Sequence, residues 1–195
     1  MTRLASGSAI SRCRLHATST VVPGQRVLVV GAGHGEDVVA AIAAGGIVTV
    51  VELSATMLAH LRARVGDRPV RLIHGDAFDH DEVYDIVIAN FFLNVFGGDD
   101  ETRMRRHLVD RVGVGGRLVI GDFAVVTGGL LRVVALAHWY LALAVFRVLS
   151  GNAVHPQSDH ARLVVDDGLR LIGDRRFRVL GLPLYASLTF ERARA

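Results

Sequence analysis

Short apolar runs alternate with longer amphipathic stretches along most of the chain. The runs at 26–30, 47–52, 70–74 and 85–90 are rich in Val and Ile, as strands covered on both faces of a parallel sheet are. Between them, a helix is expected from about Glu36 to Ala44, stopped by Gly45-Gly46 as a C-cap. A second starts with Ser54 as N-cap and runs to about Val65. A third spans about 100–112, after which Gly113-Val-Gly-Gly116 turns into a strand over 117–122. Near the end, 158–171 reads as a helix and 177–180 and 184–192 as strands. The segment before Pro23-Gly24 is short and polar, with one helix near 8–17. Seven strands alternating with helices predict an α/β fold with helices on both faces of the sheet.

The first strand runs directly into Gly31-Ala-Gly33-His-Gly35, and Glu52 ends the second. Glycines let a strand turn sharply into a helix, whose first backbone N–H groups attract anionic or polar ligand atoms. A carboxylate at the tip of the second strand stands where a ribose would offer its two hydroxyls. A dinucleotide site would read G-x-G-x-x-G, with its third glycine where Glu36 stands. Here that glycine comes one residue early, and the acidic Glu36-Asp37 pair follows. Two carboxylates would repel a pyrophosphate, whereas a cofactor with one carboxylate, an amine and a sulfonium tolerates them. The pattern favours S-adenosylmethionine over NAD.

Five segments, in order, resemble a class I S-adenosylmethionine-dependent methyltransferase. The run 27–35 resembles its glycine-rich motif, with His34 where Thr or Ser is more usual, and 50–58 resembles the second strand with its acid and following helix. The run 72–78 resembles the adenine loop, and 84–90 and 114–120 the fourth and fifth strands. Within the class the chain is most similar to the small ubiquinone/menaquinone-biosynthesis-like methyltransferases. The resemblance covers about 25–192. It implies a Rossmann-like, seven-stranded, mainly parallel sheet with an antiparallel last strand, preceded by a short cap segment (1–24) and carrying a helical lid insertion around 127–157.

It also assigns cofactor-binding roles. Gly31, Ala32, Gly33 and Gly35 would let the backbone approach the methionine part, and Glu52, followed by Leu53, would accept from both ribose hydroxyls. Asp76 would accept from the adenine amino group and the Ala77 N–H would donate to the ring, while Met57 would pack on the adenine or in the core. Asn90, followed by Phe91, would meet the methionine amine. Asp85, at the opposite edge, reads as structural.

The stretch 130–149 is almost wholly apolar but is interrupted by Arg132, His138 and Arg147. Its longest arginine-free part, 133–146, falls short of the roughly 20 residues that span a bilayer. A helical wheel groups Arg132, Trp139, Tyr140 and Arg147 on one side and turns His138 away from them. Two readings follow: a helix packed on the sheet with His138 bonded to a backbone carbonyl, or a lid whose His138 faces a greasy substrate pocket. Methyl transfer needs a base only if the acceptor must lose a proton, and His138, Tyr140 and His155 are the catalytic candidates. Asp79-His80-Asp81 and Asp159-His160 lack metal-site spacing, so no metal is expected.

Composition adds limits. The 195 residues suit one domain, and 51% hydrophobic content implies a large core or an apolar surface in use. All 22 basic residues are Arg, scattered, and the net charge is +3, so no nucleic-acid stripe is expected. A single Cys13 excludes an internal disulfide, and no apolar signal core follows Met1, which suits a cytoplasmic protein. Asn90-Phe-Phe-Leu departs from an amide-methylating motif and suits a greasy acceptor. The reading is therefore a methyltransferase for a small, apolar or aromatic molecule. The alternative is a S-adenosylmethionine-binding protein with non-methylating chemistry or a regulatory role. Peripheral membrane contact and a homodimer both stay open.

Overall fold

The computed structural model describes residues 2–150 and 155–194, with side chains over 8–144 and 155–194. Most of the expected loop at 151–156 and the side chain of Arg147 therefore lie outside the described residues. The elements run α1 (Thr2–Thr18), β1 (Arg26–Val30), α2 (Glu36–Ala43), β2 (Ile47–Glu52), α3 (Ala55–Val65), β3 (Val70–His74), β4 (Tyr84–Asn90) and α4 (Asp99–Asp110). Then come β5 (Val112–Phe123), α5 (Gly129–Ser150), α6 (His160–Asp166), β6 (Arg170–Val179) and β7 (Leu182–Glu191).

All seven strands form one sheet in the order β3-β2-β1-β4-β5-β7-β6. Strands β1 to β5 are parallel to one another, and β7 runs antiparallel to both β5 and β6. This is the Rossmann-like arrangement. Strand order reverses between β1 and β4, so the crevice for a ligand lies outside the carboxyl ends of those strands. Alternate residues of the strands feed two cores. Val27, Val29, Val48, Val50, Ile86 and Ile88 meet Ala17 of α1, Val38 and Ala41 of α2 and Leu61 and Val65 of α3 on one face. Leu28, Val30, Val87, Leu118 and Ile120 meet Met104 and Leu108 of α4 and Val164 of α6 on the other. A third cluster closes the ligand end, where Ala9 and Cys13 of α1 pack with Ala135 of α5, Phe177 and Val179 of β6, and Leu184 and Tyr185 of β7.

Several boundaries depart from the expected ones. The last helix is short: α6 ends at Asp166, with Asp167 as C-cap and Gly168 at φ 96°, a conformation that suits glycine. Residues Arg170 and Leu171 instead pair with Glu191 and Phe190, so β6 is a ten-residue strand rather than the short 177–180 run. Strand β5 begins at Val112, which pairs with Tyr84, and the glycines at 113–116 form an irregularity within it instead of a turn before it. The wheel grouping of 130–149 is corrected too. Trp139 is 2% exposed and packs inward with Ala135 and Leu143, whereas Tyr140 is 45% exposed. Aromatic bulk at the sheet's end captures the indole, which a charge-based grouping does not register.

Candidate active site

The first strand delivers its glycine turn to the crevice. Gly31, Gly33 and Gly35 hold φ of 61°, 53° and 73°, all left-handed. A Cβ at Gly31 would lie 2.5 Å from the Phe92 ring, and one at Gly33 would lie 3.1 Å from the Arg14 guanidinium. Ala32 is buried and His34 exposed. Arg14 comes from α1, whose buried Ala9, Cys13 and Ala17 fix the helix on the sheet. Burial pushes the Cys13 thiol up to about 12, and it donates to the Ala186 carbonyl at 3.3 Å, an anchor for the helix. The Arg14 guanidinium also lies 5.8 Å from the Phe91 ring centroid.

Glu52 stands half-buried at the tip of β2, and its Oε1 accepts the Ser54 N–H at 2.9 Å. Ser54 in turn caps α3 by accepting from the Met57 N–H, which places the half-buried Met57 one turn away. Leu53 is 68% exposed. The Gly75 N–H donates to the Glu52 carbonyl at 3.2 Å, drawing the 76–77 loop alongside. There Asp76 Oδ1 accepts from the Phe78 N–H at 3.0 Å, and Ala77 is buried beneath.

Asn90, 2% exposed at the end of β4, donates through Nδ2 to Asp37 Oδ2 at 2.9 Å and to the Arg14 carbonyl at 3.4 Å. Its Oδ1 is buried and has no hydrogen-bond partner. Asp37 is 1% exposed, and its burial raises the carboxyl's pKa, partly offset by the Asn90 hydrogen bond and the Arg14 charge. Phe91 is held at φ 53° with its N–H on the Gly121 carbonyl at 2.6 Å. The crevice therefore collects a carboxylate at β2, a second at the 76–77 loop and the Arg14 guanidinium, whereas Asn90 Oδ1 is sealed against Gly121. That set is of the kind S-adenosylmethionine would need: Glu52 could accept from its diol, Asp76 and the Ala77 N–H could meet its adenine, and Arg14 could meet its carboxylate.

Beside this cradle the ends of β4, β5 and β7 supply aromatic rings. Phe91 lies 6.0 Å from Phe123 and 5.7 Å from Tyr185, and Phe123 is 5.1 Å from Trp139. His138 reaches this cluster from α5, its Nε2 3.0 Å from the Tyr185 hydroxyl instead of on a backbone carbonyl. Burial lowers the His138 pKa and raises that of Tyr185, so both stay neutral near pH 7.

The three catalytic candidates do not converge. Tyr140 lies on the outer face of α5. His155 is held by its backbone neighbours, with Nδ1 2.9 Å from the Pro156 carbonyl and Nε2 3.0 Å from the Asn94 carbonyl. Tyr185 and Arg14 were not singled out from the sequence. Neither lies in a motif, and only the hairpin and the first helix bring them to the crevice. His80 packs on Tyr84, Asp159 caps α6, and His160 lies between Glu101 and Asp122. Among the described residues, no group of three or more His, Cys, Asp or Glu is placed to hold a metal ion.

Residues 28–120 match the family model described as "Methyltransferase domain". The match spans just under half of the chain and, with the fold, supports a S-adenosylmethionine-dependent methyltransferase. No curated protein matches it in sequence. Among solved structures it is similar to magnesium protoporphyrin IX methyltransferase from Synechocystis PCC 6803 with bound S-adenosylhomocysteine (TM-score 0.70, 18% identity, 98% of this chain and 85% of that one). It is similar to an O-methyltransferase family protein from Burkholderia thailandensis (TM-score 0.72, 21% identity, all of this chain but 58% of that one). The [4+2]-cyclase SpnF is also similar (TM-score 0.70, 15% identity, 95% of this chain and 82% of that one). At these identities the likenesses establish the fold.

Proposed function

We propose that this methyltransferase acts on a small apolar or aromatic acceptor held between α5 and the aromatic end of the sheet. One observation carries the reading: Phe91 belongs to both halves of the site, under the Arg14 guanidinium and against Phe123 and Tyr185. An acceptor ring in that cluster is adjacent to the donor cradle, and the apolar wall excludes water.

S-adenosylmethionine supplies an electrophilic methyl group on a sulfonium. The chain's residues bind, align and dehydrate, which can account for most of the acceleration of an in-line displacement. Glu52, Asp76 and Ala77 would fix the adenosine end and Arg14 the amino-acid end, with Asn90 holding Asp37 and the Arg14 carbonyl in place beside it. Where the acceptor is a hydroxyl, neutral His138, oriented by Tyr185, takes its proton. His155 acts as a strut, because both its ring nitrogens face carbonyls. In this reading α5 forms a lid and α1 a cap.

Incubation with labelled S-adenosylmethionine and a panel of phenols, quinols and aliphatic acceptors, read by mass spectrometry, tests it. Labelled product from aromatic members supports the reading. Tight S-adenosylhomocysteine binding with no transfer to any acceptor favours non-methylating chemistry, a role that SpnF's name records for a similar fold.

A further inference from the structure

Helix α5 has two apolar faces, and the site uses only one. Ala135, Trp139 and Leu143 face the molecule. On the opposite side Leu130 is 80% exposed, Val133 62% and Leu141 66%, with Val134 beside them. These positions recur at three- and four-residue spacing, one continuous stripe along the helix. The turn between β6 and β7 adds Leu180, 74% exposed. That turn lies at the same end of the sheet, since Tyr185 of β7 pairs with Phe123 and meets His138 of α5.

Charge around the stripe has a single sign. The sequence has no acidic residue between Asp122 and Asp159, nor between Asp174 and Glu191. These two stretches hold α5 and the hairpin tip, and their exposed charges include Arg132, Arg175 and Arg178. Among the described residues no helix is long and apolar enough to cross a membrane. An exposed apolar stripe on segments whose only fixed charges are arginines suits a surface that is apolar within and negative at its boundary. A two-fold contact between copies would instead oppose two arginine-only surfaces, which repel.

We infer that the outer face of α5 and the 180–182 turn dock on an anionic lipid bilayer, lying in its interface. This rests on the reading of α5 as the acceptor-side lid. It places the mouth of the aromatic site at the membrane surface, where an apolar acceptor would be dissolved.

The test is flotation of the full chain with vesicles of phosphatidylcholine alone and of phosphatidylglycerol mixed with phosphatidylcholine. Wild type should float with the mixed vesicles only, and less so at high salt. Val133→Asp with Leu141→Asp should weaken partition about tenfold or more. Arg132→Ala, an exposed change that spares the fold, should weaken it about fivefold. Absence of flotation by folded wild type, or equal flotation of all variants, overturns the inference. So does a dimer in sedimentation that Val133→Asp with Leu141→Asp dissociates, without lipid binding. Calorimetry with S-adenosylhomocysteine separates the two readings: a wild type that floats but does not bind it refutes the methyltransferase site alone.

Discussion

Replacing Arg14 with Ala should weaken S-adenosylhomocysteine binding and leave 5′-methylthioadenosine binding unchanged. The guanidinium lies 3.1 Å from where a Cβ of Gly33 would stand, on the glycine turn proposed to receive the amino-acid end of the donor. A charge-assisted hydrogen bond from Arg14 to the donor carboxylate is worth about 1.5–3 kcal/mol, or roughly 10- to 150-fold in affinity. The lower values typical of solvent-exposed pairs do not apply, because Arg14 is partly buried with Asp37 and Phe91 beside it. Methylthioadenosine carries the same adenosine and sulfur but no carboxylate, so its affinity should change by less than about twofold. Arg14→Lys keeps the charge, loses the planar fork and should recover only part of the loss. Calorimetry with both ligands decides it. Equal losses would mean that Arg14 merely braces the crevice, and no loss for S-adenosylhomocysteine would refute the assignment.

Glu52→Ala should weaken both ligands alike, by about 10- to 150-fold, because both carry the ribose; a selective loss in either would place the diol elsewhere. Asn90→Ala should lower stability by about 1–3 kcal/mol, since it removes the side-chain donor to buried Asp37; an unchanged melting temperature in scanning fluorimetry would contradict this. Burial depresses the pKa values of His16, His80 and His138 from 6.5, so the unfolded chain binds more protons below that pH. Stability should therefore fall as pH drops from 6.5, while Asp37, with its raised pKa, acts in the opposite sense in the acidic range above 3.8. Melting temperatures across pH 5–8 that stay flat or rise on acidification through the histidine range would refute the histidine contribution.

The parallel half of the fold was legible because its signals are local. A Val-rich run followed by glycines, an acid closing the next run and a Ser before a helix each report a conformation within a few residues. The structure keeps the boundaries of β1, β2, β3 and α3 as the sequence implied. The C-terminal hairpin was read less well, because β6 carries exposed arginines over most of its length and its strand character depends on pairing with β7. Residues 170–171 follow a helix and look like its last turn until Gly168 and Glu191 are considered together. Trp139 is set by a partner far along the chain: the wheel groups it with Tyr140 and the arginines, and only the Phe123 ring opposite it shows that it turns inward.

The two halves of the site differ in the same way. The candidate donor residues stand at the ends of β1, β2, β3 and β4, which a parallel sheet must deliver to one edge, so a one-dimensional reading finds them in order. The proposed acceptor cluster requires β7 to run antiparallel between β5 and β6, which reverses its direction and brings Tyr185 to Phe123. That reversal also sets Tyr185 against a histidine 47 residues earlier in the chain, on α5. Arg14 reaches Gly33 only because α1 packs across the sheet through Cys13 and Ala17. The proposed donor cradle is thus carried by motifs, whereas the proposed acceptor pocket depends on the packing of α5 on the hairpin. Changes in this packing can alter which acceptor fits while every glycine and acid of the donor cradle stays in place.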